Sequence, residues 1–73
     1  VKQVKVVTSS ELKRVPARKA VFRGGIVEGR WKAKERAIKY KGWSHIYGPD
    51  GNIGNWVLLE KYDRDGGREV IRD

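Results

Sequence analysis

The chain contains no cysteine and no methionine, a single histidine, one phenylalanine and two prolines among its 73 residues. Without cysteine there is neither a disulfide nor a thiolate metal site to staple so short a chain. A Cys–His nucleophile pair is excluded as well. His45 stands alone, so no histidine-rich metal centre can be assembled. No apolar run approaches the ~18 residues of a membrane span. Val1 to Val7 alternates apolar and charged residues, unlike the ordered regions of a secretory leader. The chain opens on Val1, which is compatible with a trimmed protein, a processed one or an excised domain. Lack of cysteine suits the cytosol and the exterior equally. The length predicts one domain, 1–73, with a small and tightly specified core. No cofactor and no metal are expected. Asp63-Arg64-Asp65-Gly66 lacks the further acidic ligands of a cation loop and reads as a turn. Gly24-Gly25 lacks the Lys-Ser/Thr of a phosphate loop.

What is abundant is positive charge, and it is unevenly placed. Seventeen Lys/Arg face nine Asp/Glu, for a net charge of +8. Residues 1–41 hold thirteen Lys/Arg against Glu11, Glu28 and Glu35, which is +10; residues 42–73 hold four against six acids, which is −2. Such a field attracts polyanions: nucleic acid, anionic lipid headgroups or cell-wall polymers. Its bland reading is solubility alone.

Residues 2–8 alternate as a half-buried strand, with Val4, Val6 and Thr8 on one face and Lys5 and Val7 on the other. Ser9-Ser10 interrupts it, and the basic stretch around Pro16 reads as a loop. Ala20-Val21-Phe22 is a short apolar segment stopped by Gly24-Gly25, and Glu28-Gly29 reads as a turn after Ile26-Val27. Trp31 to Lys41 is ambiguous. Its Ala, Lys, Glu and Arg content favours a helix, in which Ala33, Ala37 and Tyr40 share a face. The density of turns around it favours a strand, and a strand is the expectation taken. Gly42 to Gly48 and Ile53 to Leu59 flank Pro49-Asp50-Gly51-Asn52, which is turn chemistry, so the pair reads as a β-hairpin. Asp63 to Gly67 is a further polar turn, and Val70-Ile71 adds a last short strand. The fold class expected is all-β: a small SH3-like barrel of five to six short antiparallel strands. The alternative is α+β, with a helix at 29–41.

At the hairpin the chain resembles bacterial SH3-type (SH3b) domains. The residues that carry the likeness are Gly42-Trp43, Ile46, Asp50-Gly51, Gly54, Trp56-Val57 and Tyr62. Upstream, Val6 to Ser10 with Leu12 is similar to the family's opening strand, and Val21, Gly25, Ile26 and Gly29 to its middle segment. Asn55 separates Gly54 from Trp56, which are adjacent in most of the family, and the family's first-loop Gly-Pro is missing. The resemblance implies a non-catalytic targeting barrel bound to peptidoglycan or another wall polymer, and hence an extracellular, cell-wall location.

No catalytic constellation is visible. Ser44 and His45 are neighbours on a strand and point to opposite faces, so they cannot form a pair with Asp50. Trp43, His45 and Tyr47 share one face of that strand, with Ser44 and Ile46 on the other. Ile46 is core-like, which makes Trp43 and Tyr47 the leading ligand-facing aromatics, against the plainer reading that Trp43 packs at a rim. Basic and aromatic residues interleave at Arg30-Trp31-Lys32 and Lys39-Tyr40-Lys41, which suits phosphate neutralisation with base stacking and equally suits teichoic acid. The plain reading of that run is a solvated face. Three functions follow. The first is a non-catalytic wall-targeting module for peptidoglycan or teichoic acid. The second is a basic small barrel binding nucleic acid, which would be cytoplasmic. The third is a protein-interaction barrel of the phage or host regulatory kind, suggested by the apolar 56–59 strand.

Overall fold

The computed structural model describes residues 3–49 and 55–72. Its elements run β1 (Val4–Ser9), α1 (Ala17–Ala20), β2 (Val21–Gly24), α2 (Ile26–Lys39), β3 (Trp43–Pro49), β4 (Trp56–Tyr62) and β5 (Arg68–Val70). The five strands form one antiparallel sheet in the order β2-β1-β3-β4-β5. The strand number and antiparallel pairing expected from the turn spacing are present. The sheet is not closed on itself, and α2 lies across one of its faces.

The period-two pattern of β1 places Val4, Val6 and Thr8 under the helix. They meet Ile46 and Ser44 of β3 and Tyr62 of β4. Ala33 and Ala37 of α2 close this core, with Phe22, Ile26 and Leu59 packed at its margin. The buried hydroxyls of Thr8 and Ser44 satisfy each other, with Thr8 Oγ1 and Ser44 Oγ 2.9 Å apart.

The stretch Trp31 to Lys41 is the main correction: it is helical through Lys39, not a strand. Ile26-Val27 and the expected Glu28-Gly29 turn form the first turns of the same helix. Two physical reasons decide it. Propensity favours the helix from Arg30 onward, and Glu28 in its first turn and Arg36 and Lys39 in its last complement the helix dipole. The buried stripe is also built from small residues, Gly29, Ala33 and Ala37, at i, i+4 and i+8. These let the helix approach the sheet closely: a Cβ on Gly29 would stand 2.6 Å from Val4 Cγ2.

A Schellman motif ends α2. Gly42 donates its N–H to the Ala37 carbonyl at 3.0 Å, and Lys41 donates to that of Ile38 at 3.3 Å. Lys41 takes the left-handed conformation this requires, with φ 52°. Ser10 Oγ donates to the Tyr40 carbonyl at 2.7 Å and accepts from the Leu12 and Lys13 amides, tying the first loop to the helix end.

The basic loop around Pro16 leads into the single helical turn of α1, which Arg36 fastens to α2 by donating to the Lys19 carbonyl at 3.1 Å. The expected last strand is β5, Arg68–Val70, so Ile71 lies beyond it. The Asp63–Gly67 turn is held by Asp63 Oδ1, which accepts from the Asp65 and Gly67 amides. Asp50 to Gly54 of the central hairpin, and with them the Asp50-Gly51 and Gly54 part of the SH3b likeness, lie outside the described residues.

Candidate functional site

The face of the sheet opposite α2 carries no described element. Its side chains follow from the register. One row across the strands is Arg23, Lys5, Tyr47 and Leu58; the next is Val21, Val7, His45, Lys61 and Glu69; Ser9 and Trp43 follow. A sheet face left to solvent ordinarily carries polar residues. This one carries Val7, Val21, Leu58 and four aromatic side chains among its cations.

The aromatics are ordered by the strand. Trp43, His45 and Tyr47 occupy alternate positions of β3 and are all half-buried. Alternate positions lie roughly 6.8 Å apart along a strand. The His45 and Tyr47 ring centroids stand 6.3 Å apart with 30° between their planes. A bulge between Ile46 and Tyr47 shifts the register with β4 and sets Leu58, not Leu59, beside Tyr47. Trp56, 38% exposed, enters the same surface from the start of β4. Lys5 Nζ sits 5.6 Å from the Tyr47 ring centroid and 5.1 Å from that of Trp56, bridging the two rings.

The cations of this face are Lys5, Arg23 and Lys61. Lys61 is loosely paired with exposed Glu69 at 3.9 Å. His45 has its pKa lowered, first by burial and then by the facing Lys61 ammonium, so the imidazole is neutral at pH 7. The surface thus offers planar rings for stacking, apolar area between them and positive charge at its edges. Ser44 lies on the helix side, bonded to Thr8, so Ser44 and His45 do not pair. Among the described residues no group of three or more His, Asp or Glu side chains is placed to hold a metal ion.

The eight residues singled out in the sequence divide between two surfaces. Trp43 and Tyr47 lie on the open sheet face. Trp31, Arg30, Lys32 and Lys39 belong to α2 on the opposite side, and Tyr40 and Lys41 end that helix. Tyr40 is buried at 8% exposure and is not ligand-facing. Lys41 serves the helix C-terminus through its left-handed backbone. Arg30 is committed to structure: its Nε and Nη2 donate to Glu60 Oε2 at 3.1 and 2.9 Å. Arg68 Nε donates to Glu60 Oε1 at 2.8 Å, so one buried carboxylate joins α2, β4 and β5. Two arginines hold its carboxyl below the usual range, Arg68 most strongly, despite burial.

Sequence reasoning missed Lys5, Trp56 and Lys61 as members of the sheet surface. Their signal was present in the alternation of β1 and β4, but cross-strand register was needed to bring them together. Comparison with protein-family models, with curated proteins and with solved structures finds no match.

Proposed function

We propose that this protein is a non-catalytic module that binds single-stranded nucleic acid on the open face of its sheet. The observation that carries the reading is the line of Trp43, His45 and Tyr47 at alternate positions of β3, flanked by Lys5, Arg23 and Lys61. An extended single strand offers bases to stack on such rings and phosphates to meet the cations. Duplex DNA hides its base faces, so the aromatic row favours single strands.

Fluorescence anisotropy with labelled single-stranded and duplex oligonucleotides over a salt series tests it. Three cations on the face predict a log–log salt slope of about −2 for a single strand, at roughly −0.7 per phosphate contact. Tyr47→Ala is expected to weaken binding by about 1–3 kcal/mol, the range for one base–aromatic stack. Equal affinity for duplex and single strand, unchanged by Tyr47→Ala, would count against the reading.

The wall-targeting function implied by the SH3b resemblance remains as a second reading. It is favoured by the pairing of β3, which opens on Trp43 directly after Gly42, with β4, which opens on Trp56-Val57. Aromatic rings and cations also suit an anionic glycopolymer. Retention on purified peptidoglycan at moderate salt, lost in Tyr47→Ala, would select it.

A further inference from the structure

The outer surface of α2 is independent of the sheet face and carries its own pattern. Val27, Trp31 and Ile38 are 78%, 63% and 45% exposed. At about 100° per residue they fall within roughly 40° of one another around the helix. The apolar stripe they form faces away from the core stripe of Gly29, Ala33 and Ala37. A helix with a second apolar stripe has more hydrophobic surface than its own fold uses.

Beside the stripe lies a cationic groove. Lys32, Arg36 and Lys39 share a helix edge at i, i+4 and i+7, and Lys19 of α1 forms the far wall. Trp31 and Glu35 line both this groove and the apolar depression that holds Ile38 and the Lys34 side chain. Among the described residues none of these lysines has a carboxylate within 4.0 Å; the ion pairs present involve Arg30, Lys61 and Arg68. Among the described residues that positive charge is therefore open to a partner.

We infer that this surface docks an acidic amphipathic peptide segment, its apolar side chains seated on Val27, Trp31 and Ile38 and its carboxylates over Lys19, Lys32 and Lys39. Charge decides the occupant. With Arg30 paired to Glu60, residues 26–39 offer Lys32, Lys34, Arg36 and Lys39 against Glu28 and Glu35, four against two, or +2. A second copy of the chain would set +2 against +2, a like-charge juxtaposition that opposes association. A segment with Asp/Glu flanking an apolar stripe reverses that term and fits both halves of the surface. Trp31 stands where the halves meet and is the expected anchor.

The test uses the full chain and a fluorescein-labelled helical peptide of about 14 residues, matched to α2 in length, with Leu and Phe along one face and Glu along its flanks. Saturable binding is expected. Trp31→Ala should weaken it roughly tenfold or more, and so should the pair Lys32→Glu and Lys39→Glu. Tyr47→Ala should leave it unchanged, which separates this surface from the oligonucleotide site. Trp31 is exposed, and an unaltered circular dichroism melt would show that its variant keeps the fold. No binding by the native chain at about 1 mM peptide would overturn the inference, as would equal binding of the same peptide with Lys in place of Glu. Light scattering that shows a Trp31-dependent dimer, or Trp31-dependent association with phosphatidylglycerol vesicles without peptide binding, would overturn it in favour of those occupants.

Discussion

At the scale of single residues, His45 is the group most sensitive to its surroundings. It lies between Val7 and Lys61 in its row, with Trp43 and Tyr47 along its own strand. Burial and the Lys61 charge both disfavour the imidazolium, so its folded pKa lies below the unfolded value of about 6.5. A group lowered in this way contributes stability that is present above the unfolded value and lost as pH falls through the folded one. A bound phosphate reverses the local charge and favours the protonated ring. Binding of an oligonucleotide should therefore take up a proton, and affinity should rise as pH falls below about 6.5. An NMR titration of the His45 ring is expected to give a midpoint below 6.5 in the free protein, moving upward when oligonucleotide is bound and upward in Lys61→Ala. A midpoint that oligonucleotide leaves unmoved would separate His45 from the binding surface.

At the scale of elements, α2 shows how a helix can be hidden in a sequence. Its core stripe is Gly29, Ala33 and Ala37, which gives hardly any hydrophobic periodicity, while its largest apolar residues, Val27, Trp31 and Ile38, face outward. Its Ala, Lys, Glu and Arg content still favours the helix; the density of turns around it, with Glu28-Gly29 read as one of them, draws the reading to a strand. The β3 alternation, by contrast, was legible because Ser44 and Ile46 are buried and Trp43, His45 and Tyr47 are not, as the period of two predicts. The end of α2 yields a direct test. Lys41 holds a left-handed φ of 52° at the position where glycine is preferred. Lys41→Gly should relieve roughly 1 kcal/mol of strain and raise the midpoint of urea unfolding. A fall in the midpoint would show that the Lys41 side chain contributes more than its backbone loses.

At the scale of the whole molecule, the helix layer is pinned to the far side of the sheet by one carboxylate. Glu60 accepts from Arg30 and Arg68, side chains that are half exposed while Glu60 itself is buried. Nothing local in the sequence marks Glu60, because its partners lie thirty residues before it and eight after it. Its folded pKa is depressed, so the stability it contributes is present above the unfolded pKa of about 4.3 and is lost as pH falls through the folded value. Glu60→Gln should lower stability at pH 7 by roughly 1–3 kcal/mol, since the guanidiniums keep an oxygen to bond but lose its charge. The gap between variant and parent should narrow below about pH 4.3, and chemical denaturation at pH 7 and pH 3 measures it. A gap that stays constant across that range would mean the carboxylate charge is not what holds the two layers.

The same two-layer division explains why the candidate binding residues were only half legible. Interleaved Lys/Arg and aromatics in 30–41 looked like one surface with Trp43 and Tyr47. The helix sends them to the other side, and Lys5, Arg23 and Lys61 take their place beside the aromatic row. The salt slope reads this directly: about −2 if the sheet cations act alone, and about −4 if Lys19, Lys32 and Lys39 were added to them. The decisive measurement is a ¹H–¹⁵N chemical-shift map recorded while a short single-stranded oligonucleotide is added. Shifts are expected at Lys5, Val7, Arg23, His45, Tyr47 and Lys61 and at the indole N–H groups of Trp43 and Trp56, with Trp31 and the rest of α2 quiet. Shifts confined to α2, with the sheet face silent, would contradict binding there.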